Sequence, residues 1–314
     1  MRQAGRYLPE YRQIRQHFKD FIEFCLQPEA VTRVTLQPIQ RFDFDAAIIF
    51  SDILVIPHAL GQRVQFIEGT GPVLDHVDWA TFLEKAEKQS VLPFLSPVFD
   101  AIRLTRQALV PEKSLIGFVG SPWTLACYML QQGKVKDAPS GNYSPPFINS
   151  LLRILQKHCA DFLTAQIQAG CDVIQIFDSW ASLVPHPYQE DYLWKPLQFI
   201  TESIQKKFPH IPIVYYGRGV NQFYPTLALR LPGICFGLDQ TVSPEWAALH
   251  VQTPVQGNLD PERLVRGEFK DSVERILDFL SLKPFVFNLG HGILPQTPLE
   301  NVHQLVDQIR NKTY

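Results

Sequence analysis

The segment VIQIFDS, residues 173–179, decides how the rest of the sequence is interpreted. It is a short, β-rich run that ends in an acid and a serine. A run of this kind, without strict polar alternation, is typical of a strand covered on both faces, as in a parallel sheet. Six further segments share the design and also end in small or polar residues: 46–50, 115–119, 212–216, 234–238, 254–256 and 285–289.

Helical patterns lie between these runs. Leu151, Leu155, Cys159 and Phe162 recur every three or four residues, and Gly170 stands where a C-terminal cap is expected. Capping side chains before prolines predict further helix starts. These starts are Ser243-Pro244, Asp260-Pro261 and the capping box TPLE at residues 297–300.

Strand and helix alternate seven times, which predicts an α/β fold: a (β/α)8 barrel or, as the alternative, an open doubly wound sheet. No low-complexity linker divides the chain, so residues 1–314 are predicted to form a single TIM-barrel domain. A barrel needs eight strands, and only seven runs are found. The missing strand should precede the first helical segment, where the sequence starts. We therefore expect the first strand to be truncated at the N-terminus.

Composition excludes several classes of protein. The 29 basic and 31 acidic residues give a net charge of −2, without the basic surface that nucleic acid would require. The five cysteines lack the close spacing of a zinc knuckle or a redox dithiol, which indicates buried thiols in a reducing compartment. Neither a signal peptide nor a transmembrane run is found. The sequence predicts a cytoplasmic protein that binds no membrane.

Polar residues follow the ends of the predicted strands. In a parallel barrel these positions converge on one mouth, where ligands bind. For the acids among them, helix capping or loop anchoring is the alternative interpretation, especially at Asp178 and Asp239. Asp52 differs, because apolar residues continue on both sides of it and a buried carboxylate is costly without hydrogen bonds. The full set is Ser51-Asp52, Gly120-Ser121, Asp178-Ser179, Arg218, Asp239, Asn258 and Gly290-His291-Gly292.

The opening stretch MRQAGRYLPEYRQIR, residues 1–15, contains four arginines and one acid, Glu10. A solvated basic helix face is the alternative for such a charge run. However, Gly5 and Pro9 interrupt any continuous helix, and arginine can hold a carboxylate through two parallel hydrogen bonds. The cluster therefore predicts a local site for an anion.

Together these positions describe a mouth with several arginines, one or two acids and a histidine. His291 could be a general acid, an anion ligand or a core histidine. Nucleophile-elbow and phosphate-loop motifs are absent from the sequence, and Cys171 and Cys235 stand away from the predicted mouth. The residues favour a small substrate with several carboxylates, bound without a metal or an organic cofactor.

Seven segments, in order along nearly the whole chain, resemble the uroporphyrinogen decarboxylase family. That family folds as one (β/α)8 barrel and usually forms a homodimer. The resemblance implies a cytoplasmic carboxy-lyase of haem biosynthesis that needs no metal or cofactor. Such an enzyme converts the four acetate side chains of uroporphyrinogen III to methyl groups and gives coproporphyrinogen III. The segments are MRQAGRYLPEYR, DAAIIFSDIL, GSPWTLACYM, IQIFDSW, GLDQT, QGNLDP and FNLGHG.

The resemblance also implies roles for individual residues. Asp52 would bind the pyrrole N–H groups at the centre of the macrocycle and stabilise the transition state, while Arg2 and His291 are the candidate proton donors. The residues that match the family's substrate contacts are Arg2, Gln3, Ala4, Gly5, Arg6, Arg15, Asp52, Tyr128, Ser179 and His291.

Two other functions remain open at this stage. One is a methyl-transferring relative on the same barrel, which normally needs a zinc site. The other is an inactive descendant that binds tetrapyrroles without releasing carbon dioxide. Family members also carry about one strand and a short helix upstream of the first motif, which fits the strand count and the expected truncation.

Overall fold

The computed structural model describes residues 5–312, without the side chain of Ser140. Three helices come first: α1 (Pro9–Arg15), α2 (Phe21–Cys25) and α3 (Pro28–Phe42). Proline occupies an early helical position in α1 and α3, where the missing N–H costs nothing. These helices lead into the first strand of the sheet.

All seven predicted strands are confirmed, and a short hairpin that the sequence did not predict follows the first of them. The strands are β1 (Ala46–Ile48), the hairpin strands β2 (Val64–Ile67) and β3 (Gly71–Leu74), β4 (Ser114–Gly120), β5 (Val173–Asp178), β6 (Ile213–Gly217), β7 (Ile234–Gly237), β8 (Val255–Leu259) and β9 (Phe285–Leu289).

The main sheet is parallel, and its order is β1-β4-β5-β6-β7-β8-β9. The order runs in one direction without the reversal that defines a doubly wound sheet, so that alternative is wrong. The sheet is curled, because its two edge strands, β1 and β9, line the same cavity of about 500 Å³. Within residues 5–312 the main sheet is thus curled and has seven strands. An eighth strand of this sheet is not among the elements described.

Helices cover the outside of this sheet. Their bounds are α4 (Val55–Ala59), α5 (Trp79–Lys88), α6 (Ser96–Ala108), α7 (Pro122–Leu130), α8 (Pro145–Ala169), α9 (Lys195–Lys207), α10 (Tyr224–Arg230), α11 (Pro244–His250), α12 (Pro261–Arg266), α13 (Lys270–Leu280) and α14 (Leu299–Arg310). Every residue of β6 and β8 is buried, as expected for strands with covered faces. Among residues 5–312, no helix combines the length and apolar character needed to cross a membrane.

Most of the predicted helix boundaries are confirmed. Gly170 ends α8 with φ +120°, and Ser243 caps α11 by accepting the amide of Trp246 at 3.0 Å. The capping box at residues 297–300 is wrong. The amide of Thr297 bonds back to Leu294 at 3.0 Å, so Thr297 belongs to the preceding turn, and α14 begins at Leu299 without a side-chain cap.

Candidate active site

Two arginines of the N-terminal cluster lie against one aromatic ring. The guanidinium carbon of Arg6 is 5.1 Å, and that of Arg15 5.6 Å, from the centroid of the Phe21 ring on α2. Both arginines are half-buried, and Arg15 also donates a hydrogen bond to the carbonyl of Phe18. Attraction between a cation and an aromatic face holds the two positive charges near each other. A solvated helix face therefore does not describe Arg6 and Arg15.

Asp52 lies just beyond β1 and is only 6% exposed. Its Oδ1 accepts a hydrogen bond from the amide of Leu54 at 2.9 Å, which offsets part of the cost of burying a carboxylate. Phe50, two residues earlier, packs edge-on against Phe21 with 5.9 Å between ring centroids. The ring that supports the arginines thus packs on the segment that carries Asp52.

The buried thiol of Cys25 indicates how close these charges are. Burial is the main cause that raises its pKa; the carboxylate of Asp52 raises it further, whereas Arg6 and Arg15 lower it. The thiol therefore experiences the opposing effects of the acid and of both guanidinium groups.

Arg12 has a different position from its two neighbours. It is exposed, and it donates hydrogen bonds to the carbonyl of Arg6 at 3.4 Å and to that of Pro295 at 3.1 Å. Because Pro295 lies only four residues after His291, Arg12 joins the arginine segment to the loop that follows β9. Its role in the fold is to hold these two segments together.

Gly5 is buried at the start of the described chain. Its carbonyl accepts the amide of Leu8 at 2.7 Å, and a Cβ at this position would lie 2.7 Å from Cδ1 of Leu8. A side chain at position 5 would therefore require Leu8 to shift, independently of any ligand.

His291 follows β9 within the sequence Gly290-His291-Gly292. The carbonyl of Gly290 accepts the hydroxyl of Tyr216 at 2.9 Å, and the ring of His291 lies edge-on to that tyrosine with 6.2 Å between centroids. A Cβ on residue 290 would stand 2.4 Å from the amide nitrogen of Gln240, so the backbone passes here too closely for any side chain. His291 is half-buried, which rules out a fully buried core histidine.

Tyr128 and Ser179 come after two neighbouring strands of the sheet. Tyr128 is in the last turn of α7, which follows β4, and Ser179 directly follows β5. Both are half-buried, and Tyr128 packs edge-on against Trp180 with 6.0 Å between centroids. Trp180 therefore connects the two residues: its ring contacts Tyr128, and it is next to Ser179 in the chain.

Two other predicted rim acids prove to be loop anchors. Asp239 accepts hydrogen bonds from the amide of Gly219 at 2.7 Å and from the side chain of Asn221 at 2.5 Å. Asp178 is buried at the end of β5 and bonds to hydroxyl groups of neighbouring elements. Asn258 lies within β8 and donates to the carbonyls of Asp239 and Val242.

The described part of the chain brings many of the predicted residues to the carboxyl ends of the strands. Asp52, Ser179 and His291 come after β1, β5 and β9, and Tyr128 lies on α7, which follows β4. Arg6 and Arg15 contact Phe21, which packs on Phe50 close to Asp52 in the chain. Arg218 is exposed in this structure. Arg2, Gln3 and Ala4 lie outside the described residues.

Sequence reasoning missed Phe21 and Trp180. Each lies close in sequence to a predicted site residue, but an aromatic residue alone reads as core. Only their places in the sequence could have indicated them: Phe21 follows the arginine cluster, and Trp180 follows Ser179.

A metal site finds no support in the described residues. Within 5–312, no group of three or more histidine, cysteine, aspartate or glutamate side chains is placed to hold an ion. All five cysteines are free thiols, and burial raises the pKa of Cys235, for example, to about 12.

Two solved structures resemble the fold. A methyltransferase from Methanosarcina mazei superposes with a TM-score of 0.77 at 19% identity, over 96% of this chain and 90% of that one. A B12-independent methionine synthase from a Shewanella species gives a TM-score of 0.59 at 13% identity, over 90% and 87%. At these identities the likeness shows the fold alone.

Sequence comparisons identify the family. Residues 1–312 match the family model described as uroporphyrinogen decarboxylase. A uroporphyrinogen decarboxylase of Rhodospirillum rubrum is 44% identical over 99% of this chain and 91% of that protein. One from Agrobacterium fabrum is 43% identical over 99% and 92%. The resemblance read from the motifs is thereby confirmed: the chain belongs to the uroporphyrinogen decarboxylase family.

Proposed function

We propose that this protein is a carboxy-lyase that converts the four acetate side chains of uroporphyrinogen to methyl groups, giving coproporphyrinogen in haem biosynthesis. The names of the relatives support this activity. The observation that carries the proposal is a buried Asp52 on the segment against which Phe21 packs, with Arg6 and Arg15 on the ring of Phe21.

The arginines fit the charge of this substrate. Uroporphyrinogen carries four acetates and four propionates, and guanidinium groups bind carboxylates with strong, directional hydrogen bonds. Arg6 and Arg15 both lie against the ring of Phe21 and, under this proposal, bind carboxylates of the substrate. Under this proposal Arg2, Gln3, Ala4 and Gly5 complete the binding segment, as the family motif implies, and Tyr128, Ser179 and His291 contact the substrate elsewhere on the rim.

The proposed chemistry explains the need for a buried acid. Protonation of a pyrrole carbon gives a cationic ring that can accept an electron pair. The bond between the acetate methylene and its carboxyl carbon then breaks, carbon dioxide leaves, and the pair moves into the ring. A proton added to the exocyclic carbon gives the methyl group, and the ring loses the first proton.

Under this proposal Asp52 stabilises the cationic ring through its N–H groups. A fixed negative charge acts most strongly where water cannot screen it. A single preorganised group of this kind typically contributes about 3 kcal/mol to lowering a barrier. Arg2 and His291 are the proposed proton donors; of the two, His291 is the better acid, because an arginine scarcely gives up its proton.

Anaerobic incubation with uroporphyrinogen tests the proposal. We expect stepwise products that have lost one to four carboxyl groups, with all four propionates retained. Binding without release of carbon dioxide would instead indicate an inactive tetrapyrrole-binding protein. Activity that requires added zinc and transfers a methyl group would indicate the other alternative.

The proposal extends to the fold: the sheet closes as a complete (β/α)8 barrel, with an eighth parallel strand between β9 and β1. The cavity between these edge strands is lined mainly by apolar side chains, among them Ile48, Phe285 and Val302. Right-handed crossovers place each strand beside its predecessor. A strand that preceded α1 would therefore lie next to β1, on the side away from β4.

The proposed enzyme acts as a homodimer in the cytoplasm. Five free cysteines, four of them buried, fit a reducing compartment. The dimer rests on the usual state of the family, and sedimentation of the purified protein tests it. A monomer at all concentrations would contradict it.

A further inference from the structure

We propose that Asp178 is a positioning residue that fixes Tyr128 relative to Ser179 and so controls substrate binding at this side of the mouth. The inference rests on the proposed function, because only that function gives Tyr128 and Ser179 a substrate to contact. It adds a residue to which the family motif assigned no role.

Asp178 is the last residue of β5 and is 2% exposed. Its Oδ1 accepts the hydroxyl of Thr124 at 2.7 Å, and its Oδ2 accepts the hydroxyl of Tyr215 at 3.1 Å. The hydroxyl of Ser121 is a third partner. One carboxylate thus links the end of β5 to the first turn of α7 and to β6.

The direction of the hydrogen bonds follows from their chemistry. The backbone amide of Trp180 donates to Oγ1 of Thr124 at 3.1 Å. Because an amide can only donate, the proton of the Thr124 hydroxyl is available for Asp178. One hydroxyl of α7 therefore binds the residues on both sides of Ser179, and this holds Ser179 in place.

The same hydroxyl is connected to Tyr128. Thr124 and Tyr128 are four residues apart on α7 and lie on the same face of the helix. Tyr128 packs on the ring of Trp180. The backbone carbonyl of Trp180 also accepts a hydrogen bond from the indole N–H of Trp123 at 3.0 Å. Asp178 thereby orients one substrate-contacting residue through Thr124 and the other through the adjoining backbone.

Helix capping does not account for Asp178. The N-cap of α7 is Ser121, whose hydroxyl accepts the amide of Thr124 at 3.1 Å. Burial raises the pKa of Asp178, while the three hydroxyl groups oppose that effect. A carboxylate is suited to this place because its two oxygens can accept from several donors at once.

Thr124→Val tests the link, since valine keeps the shape of threonine and removes the hydroxyl. We expect KM to rise about tenfold with kcat changed less than twofold, while Thr124→Ser keeps both constants near those of the wild type. Thr105→Val is the matched control: Thr105 is equally buried on α6 but bonds to its own helix at Ala101. It should leave KM unchanged.

A double-mutant cycle separates positioning from general loss of structure. In a Tyr128→Phe background, Thr124→Val should raise KM less than threefold. Equal factors in both backgrounds, or a folded Thr124→Val enzyme with normal KM, would overturn the proposal. Should Thr124→Val fail to fold, Asp178→Asn enters the same cycle: its rise in KM must shrink in the Tyr128→Phe background, and an additive effect overturns the proposal.

Equilibrium binding of uroporphyrin, followed by fluorescence, keeps this inference distinct from the proposed function. A wild-type protein that binds the porphyrin but releases no carbon dioxide from uroporphyrinogen contradicts decarboxylation only. Weaker porphyrin binding by Thr124→Val would then still support the positioning role. No binding of uroporphyrin together with no turnover of uroporphyrinogen by the wild type would overturn both proposals.

Discussion

Some side chains at the mouth could be recognised from the sequence alone, and others could not. Arg6, Arg15 and Asp52 stood out because charged residues in such surroundings have few structural uses. Phe21, the ring that supports both arginines, was not recognised, because an aromatic residue in a short helix reads as core. For Asp178 and Asp239 the sequence did not distinguish a helix cap from a loop anchor. Only the three-dimensional structure shows that their hydrogen-bond partners are on other elements.

Arg6→Ala should weaken substrate binding with little change in kcat. A hydrogen bond to a charged group contributes about 1.5–3 kcal/mol, so we expect KM to rise roughly tenfold or more. Arg33→Ala is the control, because Arg33 is exposed on α3 and has the same chemistry. An unchanged KM for Arg6→Ala would remove Arg6 from the binding site.

Helices and strands were largely predictable where local chemistry decides them. Gly170 and Ser243 end or begin helices as their capping chemistry requires. The error at α14 arose because Thr297 completes a turn with Leu294 and is not available as a cap. The hairpin β2–β3 was missed because both strands are short and lie outside the repeating unit.

A buried histidine between two helices should make stability depend on pH. Nε2 of His158 on α8 is 2.8 Å from the carbonyl of Ala86 on α5, and burial lowers the pKa of His158. The unfolded chain, with a histidine pKa of about 6.5, therefore binds a proton more readily than the folded one. The stability that depends on neutral His158 is present above about pH 6.5 and is lost as pH falls through the lower, folded pKa.

Chemical denaturation between pH 7.5 and 5 checks this dependence. His158→Gln should reduce the fall in unfolding free energy over that range, and the exposed His210→Gln serves as the matched control. An equal fall in the His158→Gln variant and the wild type would show that other groups cause it.

At the scale of the whole molecule, residues 5–312 leave an open seam between β9 and β1, because no described strand pairs with both of them. The seven runs predicted the strands of the main sheet, whereas the sequential order, the curvature and the cavity at the seam follow from packing of the whole sheet. Arg310 at the end of α14 bonds to Asp43 just ahead of β1, so the two sides of the seam are already joined at one end.

An extension ahead of residue 1 that carries a five-residue apolar strand should fill this seam. Burying a large apolar side chain contributes about 1.5–3 kcal/mol. For a protein of this size we expect a rise in Tm of about 1.5 °C for each kcal/mol. A dye that binds apolar surfaces should bind the extended protein less. An extension of equal length made of glycine and serine is the control, and equal Tm values for the two would contradict a strand site.

Turnover of uroporphyrinogen by Asp52→Asn tests the central claim most directly. Asparagine keeps the size of the side chain and removes its charge, so the rate of coproporphyrinogen formation should fall about a hundredfold in a protein that remains folded. Asp45→Asn, the same change at an exposed position just before β1, should retain the full rate. A wild-type rate in Asp52→Asn would contradict the role assigned to this buried carboxylate.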